Sequence, residues 1–137
     1  MEEKEKEEML KQKAFEFEVL KERAGTLEEQ ILNLEFKKNE LKIVSESLDE
    51  IKEKKGKDIL VPLGSGVFLR GNLVDDKKVL VNVGSNVVIE KNIDEAKEII
   101  NAQIEEIEKV QTEARDEFSK YLVAMQQIQE EFEKLQA

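Results

Sequence analysis

The chain has 137 residues, of which 39% are charged and 39% hydrophobic, with 32 acidic against 22 basic side chains and a formal charge of −10. That balance disfavours a thick globular core and repels a phosphate backbone, while no apolar run approaches the ~20 residues of a bilayer span, so neither nucleic acid nor membrane is expected as a partner. The absence of cysteine and histidine removes disulfides, thiol nucleophiles, the usual zinc ligands and the commonest general acid–base group, leaving no catalytic or metal site to name.

The acidic stretch Glu2 to Glu8, with no signal-peptide core, reads as a flexible, solvated N-terminus over residues 1–9. A helix is expected over 10–55: proline is absent, and Leu20, Leu27, Leu34, Leu41 and Leu48 recur every seven residues, the spacing of a coiled-coil d position. Leu10, Phe17, Ala24 and Ile31 then fall at a. Lys38 and Ser45, next in line, are poor knobs, so the seam is expected to shift through a stutter onto Leu41, Val44, Leu48 and Ile51.

Four of the six glycines and the single Pro62 gather in a valine-rich middle segment, 58–91, where the apolar period falls to two. Strands are expected at Asp58–Leu63, Val67–Leu73, Lys78–Val83 and Val87–Lys91. Gly64-Ser65-Gly66 and Gly84-Ser85-Asn86 supply tight turns, giving two consecutive β-hairpins. Neither turn opens a helix or carries a phosphate-loop lysine.

The second helix, 93–137, is expected to begin at a capping box formed by Asn92 and Glu95, with Asp94 favoured by the free N–H groups of the first turn. Its heptads place Ile104, Gln111, Phe118, Met125 and Phe132 at a and Ile100, Ile107, Ala114, Tyr121, Ile128 and Leu135 at d. The helices are of matched length, about 43 residues or ~64 Å. Paired antiparallel, they would set Leu48 near Ile99, Leu20 near Met125 to Ile128 and Leu10 near the C-terminus. Four short strands cannot close a barrel alone, so their open edges are expected to pair with other subunits.

The fold class is therefore α+β, a long antiparallel α-helical coiled coil with two β-hairpins between the helices. The stretches Ile59-Leu60-Val61-Pro62-Leu63-Gly64-Ser65-Gly66-Val67-Phe68-Leu69-Arg70-Gly71 and Val79-Leu80-Val81-Asn82-Val83-Gly84-Ser85-Asn86-Val87-Val88-Ile89-Glu90-Lys91, set midway between heptad arms, resemble the hairpins of the prefoldin alpha subunit family in its archaeal form. The resemblance implies a cytoplasmic, ATP-independent, non-enzymatic chaperone without a cofactor. In it, two alpha and four beta subunits join their hairpins in an intersubunit β-barrel, hold unfolded client proteins at the coiled-coil tips and pass them to a group II chaperonin.

Carried onto this sequence, the client-binding residues are Met9, Leu10, Phe15, Phe17, Met125, Ile128, Phe132 and Leu135. Phe17, Ile128, Phe132 and Leu135 double as ordinary seam knobs, whereas Phe15 lies off the seam. The oligomerisation residues are Leu60, Val61, Leu63, Val67, Phe68, Leu69, Val79, Val81, Val83, Val87 and Ile89. The alternative reading is a prefoldin-like structural subunit that self-assembles into filaments or homo-oligomers.

Overall fold

A computed structural model of the chain describes residues 2–137. The elements run α1 (Glu3–Glu50), β1 (Asp58–Gly64), β2 (Val67–Asn72), β3 (Lys78–Asn82), β4 (Val88–Asn92) and α2 (Ile93–Gln136). Helix α1 begins at Glu3 rather than at residue 10, so the stretch read as flexible is helical; Met1 lies outside the described residues. Glutamate and lysine are good helix formers, and Glu3 and Glu5 in the first turn sit where the exposed N–H groups favour carboxylates. The helix stops at Glu50, short of residue 55. The Lys52 N–H donates to the Asp49 carbonyl in a tight turn, Glu53 takes a positive φ of 60°, and the Gly56 N–H joins the Leu73 carbonyl at 2.7 Å.

The chain divides into two compact units, one of residues 38–106 and one of residues 1–37 with 107–137. In the first, the hairpins form two separate two-stranded sheets, β1–β2 and β3–β4, both antiparallel. Ser65-Gly66 and Ser85-Asn86 all take positive φ, as a two-residue turn matched to strand twist requires, and the Val87 N–H closes the second turn on the Gly84 carbonyl. Asp75 shapes the link between the hairpins by accepting from the backbone N–H groups of Lys77 and Lys78. Those two bonds, first Lys77 and then Lys78, hold its carboxyl below the ordinary aspartate range.

The core of this unit is Leu48, Ile93 and Ala96, with Ile51, Val79, Val81 and Ile100 packed against it. Leu48 thus meets Ala96 and Ile100, bracketing the expected Ile99. Helix α2 starts where Asn92 Oδ1 accepts the Glu95 N–H at 2.8 Å. The returning Glu95 carboxylate accepts from the Asn92 side-chain amide, not from its backbone N–H as a strict capping box would have it. Lys97 bridges to Asp49 at 2.7 Å and Lys52 to Asp94 at 3.2 Å, clamping the two helix ends antiparallel.

In the second unit, α1 and α2 again run antiparallel. Lys13 pairs with Glu131 near the chain termini, and Glu35 meets Gln111 and Arg115 further in. Ala24 and Ala114 are buried, and the α2 residues assigned to a and d are all buried or half-buried. Along α1 the less exposed positions recur as Leu10, Lys13, Phe17, Leu20, Ala24, Leu27, Ile31, Leu34, Lys38, Leu41, Ser45 and Leu48, in unbroken steps of four and three. The expected stutter is absent, and Val44 is exposed. Ser45 is tolerated at a because its hydroxyl finds Asn101 of α2 at 3.4 Å. A lysine at a can cover the seam with its methylene stem and still keep its charge hydrated.

Candidate functional site

Two surfaces carry apolar side chains that folding leaves open. The first belongs to the unit holding both termini. One turn of α1 and one of α2 frame a groove of about 280 Å³, lined by Lys13, Ala14, Phe17, Glu18, Ile128, Gln129 and Phe132. Phe17, Ile128 and Phe132 are seam residues, half-buried rather than sealed, so their outer surfaces remain available. The groove therefore combines Phe17, Ile128 and Phe132 from the residues singled out in the sequence. Leu10, Met125 and Leu135 are half-buried outside its lining, and Met9 is 37% exposed.

Phe15 is 70% exposed and lines a separate, adjacent concavity with Glu18, Val19, Lys21 and Glu22. It stands at an f position, farthest from the seam, which explains why α2 leaves it uncovered. Sequence reading passed over Val19, which extends the Phe15 patch by one helical turn. It also passed over Leu32 and Phe36, exposed on the outer face of α1, with Phe36 at 76%. Their placement at b and f was legible from the heptad. At the groove's rim, Lys13 occupies a d position, and its hydrogen bond to Glu131 holds its ammonium above the ordinary lysine range.

The second surface is formed by the hairpins. Cross-strand partners fix which residues share a face: Val61 lies opposite Leu69 and Val81 opposite Ile89, while Leu60 lies opposite Arg70 and Leu80 opposite Glu90. Val79 and Val81 are turned onto the chain's own core of Leu48, Ile93 and Ala96, and Ile89 is half-buried beside them in the β3–β4 pair. Leu60, Val61, Leu63, Val67, Phe68, Leu69, Val83 and Val87 are open. So are Leu80, 74% exposed, and Val88, neither of which the sequence reading singled out. Strand alternation shows that Leu80 and Val81 face opposite ways but not which side the helices cover.

Among the described residues there is no grouping of three or more His, Cys, Asp or Glu side chains suited to a metal, and no helix is long and apolar enough to cross a membrane.

Comparison with known proteins agrees with this arrangement. The Prefoldin subunit family profile matches residues 20–137. The chain is 34% identical over 104 residues to prefoldin subunit alpha of Thermococcus onnurineus, covering 74% of this chain and 71% of that one. It is 30% identical over 131 residues to prefoldin subunit alpha of Methanococcus aeolicus, covering 95% and 90%. In structure it resembles a chain of the filamentous PFD of Methanocaldococcus jannaschii solved by cryo-EM, with a TM-score of 0.51 and 24% identity over 88% of this chain and 95% of that one. Two long helices bracketing paired hairpins, a profile match over most of the length and archaeal relatives of the alpha class place the chain in the prefoldin family.

Proposed function

We propose that the chain is an alpha-type prefoldin subunit, an ATP-independent holdase that joins other prefoldin subunits through its hairpins and binds non-native proteins at the end of the coiled coil that carries both termini. The observation that carries this reading is the apolar groove between Phe17 and Phe132, with exposed Phe15 on the adjoining concavity. Aromatic surface that the helix seam leaves open beside a groove is available for contact, and each Å² of it that a client buries contributes ~25 cal/mol whatever the client's sequence. Met9 and Met125 add side chains that adapt to varied apolar partners.

The hairpins support the assembly half of the reading. Each sheet has only two strands, which is marginal in isolation, and the open residues Leu60, Phe68, Leu80 and Val88 supply an apolar surface for another subunit. Two alpha and four beta subunits, a closed intersubunit β-barrel, transfer to a group II chaperonin and a cytoplasmic setting complete the proposal.

Light scattering on the purified chain, alone and mixed with a beta-type subunit, tests assembly. A discrete complex with two copies of this chain and four of the partner is expected, whereas very large homopolymers that ignore the partner would favour a filament-forming role. Removing residues 1–17 and 125–137 should preserve that complex and abolish its suppression of client aggregation. Undiminished suppression would reject the binding site.

A further inference from the structure

The groove in the unit that holds both termini is apolar at its floor, where Ala14, Phe17, Ile128 and Phe132 meet, and unevenly charged at its wall. Its one basic lining residue, Lys13, is already engaged by Glu131. Its one acidic lining residue, Glu18, has neither a hydrogen bond nor an ion pair among the described residues. Glu18 also lines the neighbouring concavity with Phe15, Val19, Lys21 and Glu22, so its carboxylate stands between the apolar groove and a mixed hollow that holds two carboxylates and one amine. The sequence within about two helical turns of the lining has the same sign: residues 6–25 and 121–137 together hold eight carboxylate side chains against six basic ones. At ordinary ionic strength the screening length is about 10 Å, so charges within a helical turn or two of the groove act on whatever enters it.

From this we infer that the groove selects cationic amphipathic segments: stretches of non-native chain in which Lys or Arg lies within a few residues of an aromatic or aliphatic side chain. The apolar side chain enters between Phe17 and Phe132 while the cation meets Glu18. An acidic segment with the same apolar residues meets repulsion from Glu18 and the excess carboxylates around it, and a neutral one gains only the apolar contact. The inference rests on the client-binding reading above and narrows it to a class of client.

The test uses the full chain assembled with a beta-type partner and three short labelled peptides that share one set of apolar residues but carry flanking Lys, Glu or Ser. Fluorescence anisotropy gives their affinities. The Lys peptide should bind about tenfold more tightly than the Glu peptide near 50 mM salt, and that ratio should fall to about twofold near 500 mM. Glu18→Gln should weaken the Lys peptide about two- to fivefold and leave the Ser peptide unchanged. Equal binding of the Lys and Glu peptides at low salt would overturn the inference, as would indifference of the Lys peptide to Glu18→Gln. Failure of all three peptides to bind would instead reject client binding at this groove, and the selectivity with it.

Discussion

Gln111 is the most completely buried polar side chain described in the chain, 1% exposed at an a position of α2. Its amide donates to Glu35 Oε2 at 2.9 Å and reaches the Ile31 carbonyl at 3.4 Å. Replacing it with leucine removes these bonds without leaving a buried orphan. Ile31's carbonyl lies within α1, and Glu35 is 40% exposed and has Arg115 at 3.9 Å. Burying a leucine side chain contributes about 2 kcal/mol, and the lost hydrogen bonds, one of them to a carboxylate, cost about 2 kcal/mol net. Gln111→Leu should therefore leave stability unchanged to within about 1 kcal/mol, a shift in Tm of less than about 4 °C for a chain of this size. Gln111→Ala loses the bonds and gains no packing, so it should destabilise by about 2 kcal/mol. Thermal and urea unfolding followed by circular dichroism, at matched subunit concentration, reads both variants. A loss of more than about 1 kcal/mol in Gln111→Leu would refute the reasoning, because the polar network would then be a net source of stability that leucine packing does not match.

Asn92→Ala removes the acceptor for the Glu95 N–H and should cost about 1 kcal/mol by denaturant titration, with Asn92→Ser restoring most of it. Asp49 has its carboxyl pulled below the ordinary value of 3.8, chiefly by the hydrogen bond from Lys97. A depressed folded-state value contributes stability above the unfolded value that is lost as pH falls through the folded one. The Tm of Asp49→Asn should therefore fall less than that of the parent on acidification below about pH 4, most visibly at low salt; parallel acid limbs would exclude the pair. Phe15→Ser and Phe36→Ser remove side chains of similar exposure, yet only Phe15→Ser should weaken suppression of client aggregation, since Phe15 adjoins the groove. Leu80→Asp should block complex formation and leave helicity by circular dichroism intact, whereas Val81→Asp should destabilise the chain itself, since Val81 packs against the Leu48, Ile93 and Ala96 core.

How much of this was legible in the sequence differs between the two helices. Helix α2 presents an almost wholly apolar stripe, and every position assigned to its seam is buried or half-buried. In α1 the leucines mark d correctly, but residue type was read as burial at Lys38 and Ser45, and a shifted seam was expected in their place. The seam persists because the partner helix answers the polar group, as Asn101 answers Ser45, and such a pairing is invisible until the antiparallel alignment is known. The early start of α1 was missed for a related reason. A run of like charges reads as solvated chain, yet its glutamates and lysines are good helix formers and lie at the N-terminus that favours acids.

Exposure alone does not single out a binding surface on this molecule. Phe15, Phe36 and Ile43 all occupy f positions of α1, where the heptad cannot bury them, and all three are exposed. What separates Phe15 is its setting: a concavity beside it, a groove of half-covered seam aromatics on the neighbouring face, and Glu18 lining both. The seam residues in that groove serve two demands at once. Phe17 and Phe132 hold α1 and α2 together and yet keep outer surface to offer a client, which follows from a two-helix seam having no third helix to close over it. Replacing either with alanine should therefore lower stability and client binding together, while Phe15→Ser lowers binding alone.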